Sequence, residues 1–196
     1  MAMQTDGLPS AYRRVEYLQS SGGQCIVTDI IPDMTTDIVI ANADLDYSNH
    51  NITMSVFGSM GANIYNAAGY TTLGHKFYAQ VGGGNAYKVV ENGVTTPGKH
   101  KFILNCVQKI FVVDDTVLSL VNLTFTSSSS PYNLFCQTTS GSYVAFMYGK
   151  IYDIKFVGKG NFIPCVRKSD NKPGMYDTVS KTFYTNAGTG EFIVPA

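Results

Sequence analysis

Ile151-Tyr-Asp-Ile-Lys-Phe-Val157 is the stretch whose reading decides the fold class. Alternation puts Tyr152, Ile154 and Phe156 on one side of an extended chain and Asp153 and Lys155 on the other. Successive side chains of a strand point to opposite faces, so this is the pattern of a sheet with one face buried. The same texture recurs on the N-terminal side. Apolar runs at 101–107 and 110–113 bracket Gln108-Lys109, and Asp114-Asp115 separates the second run from 116–120. That spacing predicts two tight hairpins in succession.

Further strands are predicted at 14–18, 24–28, 37–43, 52–57, 76–80, 87–90, 143–148, 182–185 and 191–194. Between them stand Ser21-Gly22-Gly23, Gly82-Gly83-Gly84-Asn85, Glu91-Asn92-Gly93, Pro97-Gly98 and the polar run Ser127 to Pro131. Short strands so punctuated predict an all-β, two-sheet antiparallel sandwich or jelly roll, with helices absent or reduced to single turns. No internal repeat or linker divides the chain, so residues 8–196 read as one domain preceded by an arm at 1–7.

Only 14% of the 196 residues are charged, and 14 basic residues balance 14 acidic ones. A neutral surface carries no footprint for nucleic acid and is poorly defended against self-association, which favours a protein that works inside an assembly. Met1 to Gly7 lacks the basic and apolar regions of a secretory signal, and no apolar run approaches a membrane span. Cys25, Cys106, Cys136 and Cys165 are widely spaced in apolar surroundings and read as buried free thiols.

Chemistry is harder to find. Glycoside hydrolysis needs two carboxyl groups held about 5–10 Å apart. Glu16, Glu91 and Glu191 are the only glutamates, and Asp114-Asp115 are neighbours that a hairpin tip would leave solvated. Asp44, Asp46 and Asn49, beside His50, have oxygen donors at a spacing that could hold Ca²⁺; the competing reading is a polar turn. His50, His75 and His100 form no spacing motif. Gly82-Gly83-Gly84-Asn85 lacks the Gly-Lys-Ser/Thr ending of a phosphate loop and reads as a hairpin. What remains is aromatic and polar: Tyr65, Tyr70, His75, Tyr78, Asn85 and Tyr87. Tyr offers an apolar ring with a polar tip, suited to a sugar or a protein partner, and equally to a core and its rim. No cofactor is expected.

Two longer motifs flank all of this. The first runs Leu8-Pro9, Tyr12, Val15-Glu-Tyr-Leu18, Ser20, Gly22, Gln24, Ile26 and Thr28. The second runs Phe162-Ile-Pro-Cys165, Gly174-Met-Tyr-Asp177, Val179, Phe183-Tyr184, Asn186, Gly188-Thr-Gly190 and Phe192. Together with Lys99-His-Lys101 and Val112-Val-Asp-Asp115 they resemble a family of bacteriophage and prophage virion proteins, although Cys25 and Val27 stand where that family usually has Tyr and Asp. The resemblance implies a concanavalin A-like, laminin-G-like jelly roll whose first and last strands lie close together. It also implies a place in the virion, as a head decoration, fibre or tail component, with other virion proteins as partners and a homo-oligomer, expected to be a trimer. On this reading the protein is a non-enzymatic structural component. A receptor-binding module for host-surface glycans is the alternative, and a glycanase the third.

Overall fold

The computed structural model describes residues 7–72, 76–84, 86–90, 96–139 and 142–195. His75, Asn85, the Glu91-Asn92-Gly93 punctuation and all of the predicted arm except Gly7 lie outside them. The described residues contain no helix. They form β1 (Tyr12–Arg14), β2 (Leu18–Ser21), β3 (Ile26–Val27), β4 (Ile38–Leu45), β5 (Met54–Gly61) and β6 (Ile64–Thr71). Next come β7 (Lys76–Gly82), β8 (Tyr87–Val89), β9 (Lys99–Asn105), β10 (Ile110–Val113), β11 (Thr116–Ser119) and β12 (Asn133–Leu134). The last are β13 (Gln137–Thr139), β14 (Ser142–Val144), β15 (Tyr148–Phe156), β16 (Gly160–Arg167), β17 (Lys172–Asp177) and β18 (Thr182–Thr185).

All pairings are antiparallel. The larger sheet has the order β11-β10-β9-β4-β15-β16-β17-β18, with β1 on β16 and β2 on β15; the smaller has the order β3-β12-β5-β6-β7-β8. The inner faces make a sandwich-like core. Phe102, Leu104, Phe111, Ile151, Ile154 and Phe156 come from the larger sheet, and Met54, Val56, Phe57, Tyr70, Phe77 and Val81 from the smaller. Aromatic edges interlock across the middle: Tyr132 lies 4.9 Å from Phe156 and Phe57 5.8 Å from Tyr132, centroid to centroid. Such tilted and edge-on contacts are the preferred geometry of aromatic rings.

The two predicted hairpins form. Val113 pairs with Thr116 around Asp114-Asp115, and Ile110 pairs with Asn105 around the preceding turn. The deciding stretch departs from simple alternation. Its register against β4 shifts between Ile151 and Asp153, so Ile151 and Ile154 are both buried while Tyr152 is turned outward, with Tyr17 at 5.7 Å and the Lys99 ammonium 4.1 Å above its ring. A bulge adds one residue to one strand and reverses the facing of what precedes it.

The predicted strand at 14–18 is instead a reversal. β15 and β16 pair only over Ile154–Phe156 and Gly160–Phe162 and then part. Into this fork the chain enters along β16 as β1, turns through Val15 to Tyr17 and leaves along β15 as β2. Val15 and Leu18 are buried there. Val15 N–H donates to Pro164 O, so Pro164 turns its hydrogen-bonding side into the fork, where β15 is no longer alongside. This is how a central strand tolerates a residue with no N–H.

The second motif closes the seam from the other side. Gln19 and Ile193 exchange both backbone hydrogen bonds, Gln24 Nε2 donates to Glu191 O, and Cys25 N–H donates to Asn186 Oδ1. Ala187 and Thr189 N–H donate in turn to Cys25 O and Gly23 O. The predicted strand at 191–194 contracts to the single bridge at Ile193. The cysteine reading needs correcting for two of the four. Cys25 and Cys136 form a disulfide across 111 positions, whereas Cys106 and Cys165 are free and buried. Separation along the chain gave no hint of a pairing that only the docking of β12 on β3 and β5 creates.

Candidate functional site

The tyrosines singled out by sequence divide between two faces of one sheet. β5, β6 and β7 alternate, and their cross-strand partners set which side chains share a face. On the side away from the core stand Ser55, Gly58 and Met60 of β5, Tyr65, Ala67 and Gly69 of β6, Tyr78 and Gln80 of β7, and Tyr87 and Val89 of β8. Tyr65, Tyr78 and Tyr87 therefore share this outer face, where Tyr78 and Tyr87 meet. Tyr70, five residues after Tyr65 on the same strand, points the other way; it is 1% exposed and stacks on Tyr47 at 4.8 Å. It belongs to the core. His75 and Asn85 lie outside the described residues.

A hairpin covers the middle of this face. The chain leaves the smaller sheet at Phe135, whose φ of 66° is costly for a bulky residue, by about 1–3 kcal/mol. It is held there by Phe135 N–H donating to Val56 O, by Met147 N–H donating to Phe135 O, and by the Cys136 disulfide. β13 and β14 then pair over Gln137–Thr139, and Asn133 Nδ2 donates to Thr138 Oγ1. Gln137 lies on Gly58, where an added Cβ would stand 3.0 Å from the Gln137 Cβ. The absent side chain of Gly58 is what lets the hairpin come so close.

Beneath it Ser55 Oγ and Tyr78 Oη share a hydrogen bond of 2.8 Å, and Ser55 Oγ reaches Gln137 Oε1 at 3.5 Å. Gln137 is 7% exposed, yet its Nε2 has no hydrogen-bond partner among the described residues. Burial pushes the Tyr78 hydroxyl up to about 12, against a smaller lowering by Ser55. Burial likewise raises Tyr87, whose hydroxyl bonds to Thr71. The Tyr78 and Tyr87 rings lie 5.5 Å apart, and Tyr65, Gln80 and Tyr87 are half-buried at the margin of the hairpin. This constellation offers neutral hydroxyls, one amide and aromatic faces. It can bind through hydrogen bonds and stacking, and with Tyr78 protonated at neutral pH it is poorly suited to moving protons.

The three Ca²⁺ candidates stand in the surroundings of a strand end and a polar turn. Asp44 faces outward on β4 between the cross-strand neighbours Lys99 and Lys150, a cationic setting. Asp46 Oδ1 already accepts from Asn49 Nδ2 at 2.8 Å and Ser48 Oγ at 3.3 Å, as in a turn. Among the described residues no three His, Cys, Asp or Glu side chains are placed to hold a metal. His50 stacks on Tyr148 at 3.7 Å beside a cleft of about 310 Å³ whose lining includes Gln19, Ser21 and Asp46. His100 is buried between Asp114 Oδ2 and Thr96 O, each at 2.7 Å. Gly82 to Gly84 end β7 and turn the chain toward β8, as the hairpin reading required.

No family model, curated protein or solved structure matches this chain.

Ser55, Gly58 and Gln137 escaped the sequence reading. The one available signal was Gln137-Thr-Thr and Ser142-Tyr-Val flanking Ser140-Gly141, a short hairpin pattern without an apolar face to advertise it.

Proposed function

We propose that the protein is a non-enzymatic structural module of a bacteriophage particle, folded as a concanavalin A-like jelly roll and docking to other virion proteins. One observation carries this reading. The two stretches that resemble the phage family are the ones that close the sandwich, through Gln19 with Ile193, Gln24 with Glu191 and Cys25 with Asn186. The neutral Ser55–Tyr78–Gln137 network adds support for binding over catalysis. Mass spectrometry of purified particles tests the proposal: the protein is expected as a stoichiometric component, at hundreds of copies for a head location and a handful for a tail. Its absence from particles overturns the reading.

The unpartnered Gln137 Nε2 beside Tyr78 and Tyr87 favours a second reading, a receptor-binding module for host-surface glycans. Amide donors and aromatic faces are what a sugar ring offers partners for. Glycan-array binding that is lost in Tyr87→Ala supports it, and normal adsorption by particles lacking the protein counts against it.

A further inference from the structure

β11 ends the larger sheet, and no described segment pairs with its outer side. The other sheet ends differ. β18 and β3 are tied together by Tyr184 Oη donating to Asp29 and by Ala187 N–H donating to Cys25 O. β8 borders residues outside the description. Natural edges are blunted by Lys, Pro, bulges or brevity. β11, with the sequence Thr-Val-Leu-Ser, uses brevity alone.

Register fixes which of its backbone groups are unused. Leu120 N–H donates to Lys109 O, so in the antiparallel alternation Leu118 and Thr116 also bond to β10, while Val117 and Ser119 turn their N–H and C=O groups outward. On the solvent face, Val117 is 63% exposed and stands at the end of a cross-strand row with Val112, Ile103 and Ile40. Leu118 points to the inner side, against the core.

We propose that β11 is a self-association edge, at which two copies of this chain pair antiparallel across a two-fold axis through Leu118. That register sets Val117 of each copy opposite Ser119 of the other, so both outward residues exchange both hydrogen bonds. Leu118 then meets its own copy in a non-hydrogen-bonded pair beneath the joined sheets. Charge complements the geometry. Asp115 lies at one end of β11 and Lys109 at the other, while the Asp114 carboxylate is turned back to His100 and Lys101 N–H on β9, so antiparallel pairing brings Asp115 of each copy toward the basic end of its mate. A two-fold contact is self-complementary and closes at two. Four backbone bonds and one apolar row form a small interface, so the dimer is a weak one.

The test is cysteine trapping at one strand. In a non-hydrogen-bonded antiparallel pair Cα atoms are about 4.5 Å apart, within disulfide range. Leu118→Cys is expected to give a covalent dimer under oxidised glutathione. Val117→Cys alone should not, and Val117→Cys with Ser119→Cys in one chain should. Equal trapping of Leu118→Cys and Val117→Cys, or of neither, overturns the register. Sedimentation of the unmodified protein provides the second measurement, expected to show a concentration-dependent species of twice 21.3 kDa. Ser119→Pro removes one outward donor per copy without touching the β10 ladder and should weaken association about tenfold or more. A monomer at all concentrations, or a trimer, overturns the proposal.

Discussion

Asp177, in the Gly174-Met-Tyr-Asp177 motif, is 1% exposed and does the work of a buried staple. Its Oδ1 accepts from Asn161 N–H at 2.7 Å and Val179 N–H at 3.0 Å, and its Oδ2 accepts from Ser180 N–H at 3.1 Å. One carboxylate thus holds the turn after β17 against the start of β16. Asp177→Ala leaves three backbone donors without their acceptor. At about 1.5–3 kcal/mol for a hydrogen bond to a charged group, and with the bonds partly redundant, the loss should be about 3–5 kcal/mol. That is a large share of a typical domain's ~5–15 kcal/mol and lowers Tm by about 10 °C. Asp177→Asn keeps an oxygen for Asn161 and Val179 but sets an amide N–H₂ against Ser180 N–H, so roughly half of the loss is expected.

The acid limb gives an independent check on the same residue. Burial pushes the Asp177 carboxyl up, but the backbone and side-chain donors outweigh it and hold the carboxyl below its ordinary 3.8. A folded-state value below the unfolded one means that the stabilisation is complete above about 3.8 and disappears as pH falls through the lower, folded-state value. Urea unfolding followed by far-UV circular dichroism, between neutral pH and about pH 2.5, measures both effects. The parent should lose stability across the acid limb more steeply than Asp177→Asn. An Asp177→Ala variant within about 1 kcal/mol of the parent, or parallel acid limbs, would refute the reasoning.

Four other measurements bear on the fold. Removing the disulfide with Cys25→Ala and Cys136→Ala opens a loop closed across 111 positions, for which about 2–4 kcal/mol of lost stability is expected by urea unfolding. Cys106 and Cys165, whose thiols burial pushes up to about 12, should react with iodoacetamide only on unfolding. Gly58→Val drives a side chain into Gln137 and should displace the β13–β14 hairpin, at a cost of about 1–3 kcal/mol and with faster proteolysis between 137 and 144. Lys159→Met removes the ammonium 2.5 Å from the 3% exposed carboxylate of Asp37; because Lys159 is itself a third exposed, a loss of about 1–3 kcal/mol is expected in thermal unfolding.

Local pattern made much of this fold readable. The hairpins around Gln108-Lys109 and Asp114-Asp115, and the strand at 182–185, follow from alternation and turn chemistry within a few residues. β16 and β17 went unread because Pro164, Pro173 and Gly174 interrupt them, and the fork that accommodates Pro164 is built by a segment some 150 residues earlier. Tyr65 and Tyr70 illustrate the same boundary. An odd separation on one strand puts them on opposite faces, but Asn66 and Gly69 hide the fact that β6 is one strand.

By itself the sequence determined an all-β chain, its principal turns and the two motifs that meet at the seam, because these depend on each residue and its near neighbours. Tertiary structure alone decided the bulge that turns Tyr152 outward, the disulfide between Cys25 and Cys136, the burial of Tyr70 and the closing of the Tyr78 face beneath Gln137. Each of these depends on register between distant strands. A shift of one residue there exchanges core for surface, and no local pattern records it.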